Sequence, residues 1–457
     1  MLAAWLRILS LGLCLCQNSL AKESLHGHQV LNLYPQTPGH VDLIQDLREK
    51  ESHKVDFWTG VGSPGAKVTL RLHKRDVAAV QRMAEESGMP SRLVHQNLDQ
   101  RLQRDFHEQV TQPQEQFHKH RGYTTFNLSA YHSHDEMNAY LESLAQEFAN
   151  LTRLVHMGKS LAGYPILGLV IGGSKAGNET AKVFIDAGIH AREWAAPAVA
   201  FYIIHRLLHP QSAADIQMRD EIEWHIVPQA NPDGYRYTME HPENRYWRKT
   251  RSPQACRNGG DSCDCLLKPD SCCWGVDPNR NWNFHWGFKG ASQDPCSEIF
   301  QGPQQQSELE VQHLANYMTG LMPNLSAYLS LHSFSDLWLV PYGYDNNAYP
   351  TDFDDLIGLA REAVEAVNGV HGSNYTAEHS AGLYAAAGAS DDWVKGVLGV
   401  KWVYTLELRP HEDSAAANAD DGYGGFVLPK EQIVPTGQEI FEGLRVVSNR
   451  VRRNYDA

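Results

Sequence analysis

The stretch His190-Ala191-Arg192-Glu193 directly follows an apolar run, residues 183–187, that reads as a β-strand. An imidazole and a carboxylate three residues apart, in the turn after a strand, can face one metal ion. Zinc suits them, because catalytic zinc sites take three protein ligands and keep one position for water. His332, just past a second apolar run at 325–331, could supply the third ligand from another strand end. A His-x-x-Glu spacing also arises by chance, and either histidine alone has an ordinary reading as a hydrogen-bonded side chain. Glu407 stands out for another reason. It interrupts Val403-Tyr-Thr-Leu-Glu407-Leu-Arg409, a strand otherwise suited to burial, where a carboxylate is costly unless paired or functional. Alternation puts Thr405, Glu407 and Arg409 on one face. A buried Glu407–Arg409 pair and a general base beside a metal are therefore both open.

Two basic clusters accompany these residues, Arg245-Tyr-Trp-Arg248-Lys-Thr-Arg251 and Asp277-Pro-Asn279-Arg280-Asn-Trp282. The chain has 40 Lys+Arg against 54 Asp+Glu, a formal charge of −14. Guanidiniums gathered near a site in so acidic a chain would recognise a carboxylate, which they grip in bidentate fashion. The balance argues against nucleic acid or an anionic membrane as partner, since both need a basic face. Other chemistries find no support: G-x-S-x-G, the P-loop, G-x-G-x-x-G and H-E-x-x-H are all absent.

The elements that must hold these residues alternate from about residue 122 onward. Strands are expected at 166–171, 183–187, 222–227, 325–331 and 400–408, and helices at 195–208, 307–318, 355–368 and 436–451. Ser133-x-x-Glu136 reads as a capping box opening another helix, with Met137, Leu141, Leu144 and Phe148 on one face. Such alternation implies an α/β fold, a sheet flanked by helices on both faces, with its chemistry at strand ends. Residues 22–121 form a separate small unit with a strand at 67–73 and a helix at 76–87. It ends in a polar, Gln-rich stretch, 103–120, read as a solvated helix plus linker with Lys119 and Arg121 at its end. Exposed basic residues in a linker suit a trypsin-like protease.

Residues 1–21 read as a secretory signal peptide: Arg7, then an almost wholly apolar run to Cys16, then Ser19-Leu20-Ala21 before a cleavage point. No later stretch is apolar for 18 residues, so the chain is expected to be secreted and extracellular, without a membrane anchor. Six cysteines remain after the leader: Cys256, Cys263, Cys265, Cys272, Cys273 and Cys296. Three disulfides are expected in an oxidising compartment, with a zinc knuckle as the rival reading. Sequons begin at Asn127, Asn150, Asn178, Asn324 and Asn374.

Taken together, these stretches resemble the zinc metallocarboxypeptidases of the pancreatic A/B type, closest to their carboxypeptidase B branch, in proenzyme form. The likeness covers nearly all the chain after the leader. It rests on Gly188-Ile-His-Ala-Arg-Glu-Trp194, the Arg245–Arg251 and Asp277–Trp282 stretches, Leu-His332-Ser-Phe and Leu-Glu407-Leu-Arg, all in the family order. It implies a mixed, twisted β-sheet flanked by helices, in a catalytic domain over 122–457. A small antiparallel-sheet α+β prodomain with inhibitory function would precede it over 22–121, released by cleavage at Lys119 or Arg121. It implies one Zn2+ held by His190, Glu193 and His332, and Glu407 as general base. Arg248 would hold the oxyanion, and Asn279, Arg280 and Tyr384 the substrate's terminal carboxylate. Asp277 would orient a ligand histidine, and Cys273 would pair with Cys296. Asp391, first acid of Asp391-Asp392-Trp393, would sit at the base of the side-chain pocket and select C-terminal Lys or Arg. The implied protein is a monomer that acts on peptide C-termini.

Three departures from the family pattern stand out. The loop holding Cys256, Cys263, Cys265 and Cys272 is long and rich in cysteine, residues 410–421 look inserted, and Glu378 and His379 fall near the pocket. A preference for apolar or mixed C-terminal residues, and a non-catalytic binding protein on this fold, are the alternative readings.

Overall fold

The computed structural model describes residues 27–51, 54–61, 64–111, 126–172, 180–256, 272–409 and 425–455. The expected leader, Lys119, Arg121, Cys263, Cys265 and the segment 410–421 lie outside the described residues.

The first unit runs β1 (His28–Leu33), α1 (Pro38–Lys50), β2 (Val55–Phe57), β3 (Val68–His73), α2 (Lys74–Glu86), β4 (Ser91–His95) and α3 (Leu98–Phe106). Its strands lie in the order β2-β3-β1-β4, and every neighbouring pair is antiparallel. The helical spacing of Val77, Val80 and Ala84 buries one stripe of α2 with Leu31, Leu70 and Leu72. The Gln-rich stretch departs from expectation. Phe106 and Val110 are buried in the core of the larger unit, with Phe106 6.4 Å from the Trp194 ring. The helix therefore continues through Thr111 and is packed through these two residues instead of wholly solvated, while residues 112–120 of the expected linker lie outside the described residues.

The larger unit continues with α4 (His134–Glu147), β5 (Thr152–Lys159), β6 (Pro165–Gly172), β7 (Lys182–Ala187), α5 (Ala195–Leu208), α6 (Ala213–Asp220), β8 (Glu223–Val227) and α7 (Pro232–Glu240). After the small pair β9 (Pro253–Cys256) and β10 (Cys272–Trp274) come α8 (Leu309–Leu321), β11 (Leu325–Ser333), β12 (Leu337–Val340), α9 (Phe353–His371) and β13 (Thr376–His379). The chain closes with the single turn α10 (Ser380–Leu383), α11 (Ser390–Gly396), β14 (Trp402–Leu408) and α12 (Ile433–Tyr455). Eight strands form one mixed sheet in the order β13-β12-β14-β11-β7-β8-β6-β5. The central strands β14, β11, β7 and β8 are parallel and nearly continuously buried, as a sheet covered on both faces requires. Helices α4, α5, α9 and α12 cover one face, and α8 and α11 the other. The chain leaves β7 toward β8 on one side and takes up β11 on the other. That switch opens a crevice at the strands' carboxyl ends.

The capping box forms as read: Glu136 N–H donates to Ser133 Oγ, and Ser133 N–H donates to the Glu136 carboxylate. The next residue, His134, is buried at this helix N-terminus, and burial pushes it down to about 4. Its folded pKa lies below the ordinary value near 6.5, so between these values the unfolded chain binds the proton preferentially. Stability is thus fully present above about pH 6.5 and is lost as pH falls toward 4, by about 3 kcal/mol at about 1.4 kcal/mol per unit. His134→Gln should flatten this acid limb, measured as the urea midpoint between pH 7 and 4.5.

Candidate active site

His190 and Glu193 follow β7 in a tight turn, and His332 lies within β11, which runs on to Ser333 rather than stopping before it. The three side chains are buried, and their donor atoms lie within 4.8 Å of one another. The His190 and His332 Nδ1 atoms face each other at 3.1 Å, and the Glu193 carboxylate is 2.8 Å from the first and 3.1 Å from the second. Asp277 Oδ1 accepts from His190 Nε2 at 3.1 Å, which leaves Nδ1 with its lone pair. Two lone-pair nitrogens and a carboxylate oxygen converging in a buried space favour a cation among them. This N,N,O set suits zinc. Burial alone would raise Glu193, but His190 and His332 hold it well below the usual carboxylate range.

Asp277, fully buried, organises the neighbouring cations. Its Oδ2 accepts from Arg248 Nε at 3.0 Å and Nη2 at 2.9 Å, turning Arg248 Nη1 toward Glu193 Oε1 at 3.8 Å. Burial would raise Asp277, but Arg248 and Arg280 hold it well below the ordinary range. Arg280 donates to the carbonyls of Gly290 and Asn279 and keeps a buried Nη2 without a partner. Not every arginine of the first cluster belongs here. Arg245 donates to the carbonyls of Arg192 and Phe426 across the Trp194 ring, and Arg251 lies 3.6 Å over Tyr237. Those two hold the loop together.

Glu407 on β14 stands opposite His332 in parallel register. The pairing of Glu407 with Arg409 does not form: Arg409 instead meets Glu439 and Gln432. Burial pushes Glu407 up to about 8, with His332 acting against the rise. A cation held by the triad would oppose that rise further.

Beside this cluster runs the stretch 384–393, which meets the cleft at Tyr384. Gly388 has φ +75, and a Cβ there would lie 2.4 Å from the Arg280 carbonyl oxygen, so this close approach requires glycine. Asn279 Oδ1 accepts from Ser390 N–H at 2.9 Å and fixes the start of α11. The two acids that follow are used differently. Asp392 accepts from the Gly343 and Tyr344 N–H groups at 2.7 and 2.9 Å. Asp391 is equally buried and meets the Ser380 hydroxyl at 3.3 Å, the Thr405 hydroxyl and the Asp392 N–H, yet burial raises its carboxyl above the ordinary range. Ser380, in a single helical turn 11 residues before Asp391, carries no sequence signal for this place. His379 stacks on Tyr349 at 4.4 Å, while Glu378 is exposed.

The first unit closes the cleft above. Phe57, Trp58 and Gly60 face Arg248, Tyr384 and Glu407 across it. Asp56 Oδ2 is 3.1 Å from Arg71 Nε in its own unit and 2.7 Å from Arg192 Nη1 in the larger one, all buried. Trp58 packs 4.7 Å from Tyr246, and the Arg48 guanidinium lies 4.3 Å over the Tyr384 ring.

Residues 137–443 match the Zinc carboxypeptidase family. The chain belongs to this family. Residues 31–105 match the Carboxypeptidase activation peptide, so the chain is a zinc metallocarboxypeptidase in proenzyme form. It is 41% identical to "Carboxypeptidase B" of Astacus astacus over 328 residues, 72% of this chain and 99% of that one. It is 33% identical to "Carboxypeptidase A1" of Bos taurus over 439 residues, 95% and 96% of the two chains. Its fold is similar to the crystal structure of the carboxypeptidase A from Helicoverpa armigera, with a TM-score of 0.80 at 27% identity over 94% and 98% of the two chains. Cys273 is bonded to Cys296. Among the described residues no helix is long and apolar enough to cross a membrane.

The activation-peptide region thus sits on the cleft, and Asp56 is its buried ionic anchor. Asp56→Asn would leave two buried guanidiniums short of a charge, a loss of about 3–5 kcal/mol for a broken buried pair. The uncut variant should hydrolyse peptides at least about tenfold faster than the uncut parent, since the same break frees the cleft. Assays with trypsin omitted check this.

Proposed function

We propose that this chain is a secreted proenzyme which, once cut in the Lys119–Arg121 region by a trypsin-like protease, releases C-terminal Lys or Arg as a monomer. His190, Glu193 and His332 hold the zinc. When bound, zinc supplies Lewis-acid polarisation of the scissile carbonyl and makes water a stronger acid. Glu407 takes the proton of the attacking water and returns it to the leaving amine. Arg248, clamped by Asp277 through two of its nitrogens, donates its remaining one to the developing oxyanion. Arg280, with one buried nitrogen free, and Asn279 grip the terminal carboxylate, and Tyr384 closes over it. Because that grip needs a free carboxylate beside the scissile bond, internal bonds are spared.

The observation that carries the basic preference is Asp391: a buried carboxylate that meets only hydroxyls and a backbone N–H, with its carboxyl raised by burial, in a stretch fixed by Asn279 and Gly388. Such a group penalises an apolar guest and rewards a cation. After trypsin treatment, blocked dipeptides ending in Arg should be cleaved at least about a hundredfold faster in kcat/KM than those ending in Phe, as expected for a site built around a buried polar partner. Faster release of Phe would overturn the basic reading. The likeness to A-type relatives makes this the deciding assay.

A further inference from the structure

The sequon Asn127-Leu128-Ser129 lies near the start of the larger unit and is held out of it on packed flanks. Asn127 begins a four-residue turn. The Ala130 N–H donates to the Asn127 carbonyl at 3.1 Å, and the Ser129 N–H donates to Asn127 Oδ1 at 3.0 Å. Asparagine favours this place because its side chain copies the backbone of a turn. His132 Nε2 lies 2.8 Å from the same carbonyl. The Phe126 ring stacks on His132 at 3.9 Å and on Tyr140 at 4.1 Å, and Phe126 and Leu128 pack against the large core. Asn127 and Ser129 themselves are exposed. The side-chain carbonyl of Asn127 serves the turn, while its Nδ2 amide meets no acceptor among the described residues.

The other sequons differ. Asn324 is half-buried, and its carbonyl accepts from the Lys182 N–H and the Ser326 hydroxyl. Asn178 lies outside the described residues. Asn150 and Asn374 are exposed as Asn127 is, but only Asn127 is tied to the expected activation cut by a short run of chain. It follows Arg121 by six positions, so the two Cα atoms stand within about 20 Å whatever course the chain takes between them, at about 3.3–3.6 Å per residue. A glycan is bulky and keeps to the surface, and a protease must reach around the bond it cuts.

We propose that Asn127 carries an N-linked glycan that stands beside the activation junction and slows the activating cut. This rests on the secreted-proenzyme reading above. In the transfer, Asn127 Nδ2 forms a C–N bond to the anomeric carbon of a polyprenyl-diphosphate-linked oligosaccharide. The bond from that carbon to the diphosphate oxygen breaks, the diphosphate leaves with the electron pair, and the amide gives up one proton. The full chain secreted from cultured eukaryotic cells, treated with peptide-N-glycosidase in heavy-oxygen water and mapped by mass spectrometry, should carry the label at Asn127. Ser129→Ala removes the hydroxyl that the sequon requires and leaves the turn, which uses the Ser129 backbone. This variant and the deglycosylated parent should both be cut by trypsin severalfold faster than the glycosylated parent, followed as the appearance of the His120 or Gly122 N-terminus. Once fully cut, all three should share one kcat/KM. A secreted parent with Asn127 unmodified would overturn the inference, as would a cut no faster after the glycan is removed. A faster cut in Ser129→Ala alone would mean a loosened turn and would equally overturn it. A chain that keeps its leader and stays inside the cell would sink the secreted reading, and this inference with it.

Discussion

Glu407→Gln should lower kcat for a peptide substrate by about a thousandfold, within the range general-base catalysis supplies, while KM changes little and zinc is retained. Glu407 is set apart by what it does not do. Arg409, its neighbour on the same strand face, is committed to Glu439 and Gln432, and the zinc ligands are His190, Glu193 and His332 in our reading. Glu407 faces His332 across the register with a carboxylate that burial has made more basic. A carboxamide of the same shape fills the space, leaves the ligand geometry alone and cannot accept the proton. Metal content and kcat measured on the same preparation separate this from a role in holding the metal: a variant that loses zinc, or that keeps activity within tenfold of the parent, would refute the assignment. Removing a buried carboxylate also removes its desolvation penalty, so the thermal midpoint should hold or rise.

Much of this arrangement was readable from residue order because it is local. The capping box at Ser133, the turn after β7 and the run around Glu407 each announce themselves within ten residues. The sheet's edges do not. β5 and β13 alternate only partly between buried and exposed positions, and the four residues of β12 are all buried and carry no period at all. The long-range choices were the least legible. Alternation along β14 puts Glu407 and Arg409 on one face, but α12 supplies the acid that Arg409 prefers. Among Arg245, Arg248 and Arg251, only the middle one turns to the metal-binding group. That choice is made by Asp277, 29 residues away from Arg248. Phe106 and Val110, lost among glutamines in the sequence, find their partners in the core of the larger unit. The same holds for Asp56 and Arg192, 136 residues apart.

Asp391→Ala should reverse the substrate preference: kcat/KM for C-terminal Arg falls by about a hundred- to a thousandfold, while that for Phe stays level or rises. The adjacent acid makes the control. Asp392 spends both oxygens on the Gly343 and Tyr344 N–H groups, so Asp392→Asn exchanges one acceptor for a donor against a backbone donor. It should cost about 1–3 kcal/mol of stability, the penalty for a buried donor left unmade, with the Arg-to-Phe ratio unchanged. Asp391 meets the Ser380 and Thr405 hydroxyls and the Asp392 N–H, yet burial still raises its carboxyl, so its removal lifts the penalty of a buried charge that has no cation beside it in the described ion pairs. The two variants therefore move opposite readouts: one selectivity without stability, the other stability without selectivity. If Asp391→Ala lowered the thermal midpoint and left the Arg-to-Phe ratio untouched, the carboxylate would be a loop support like its neighbour. The preference for basic ends would then have to arise elsewhere in the site.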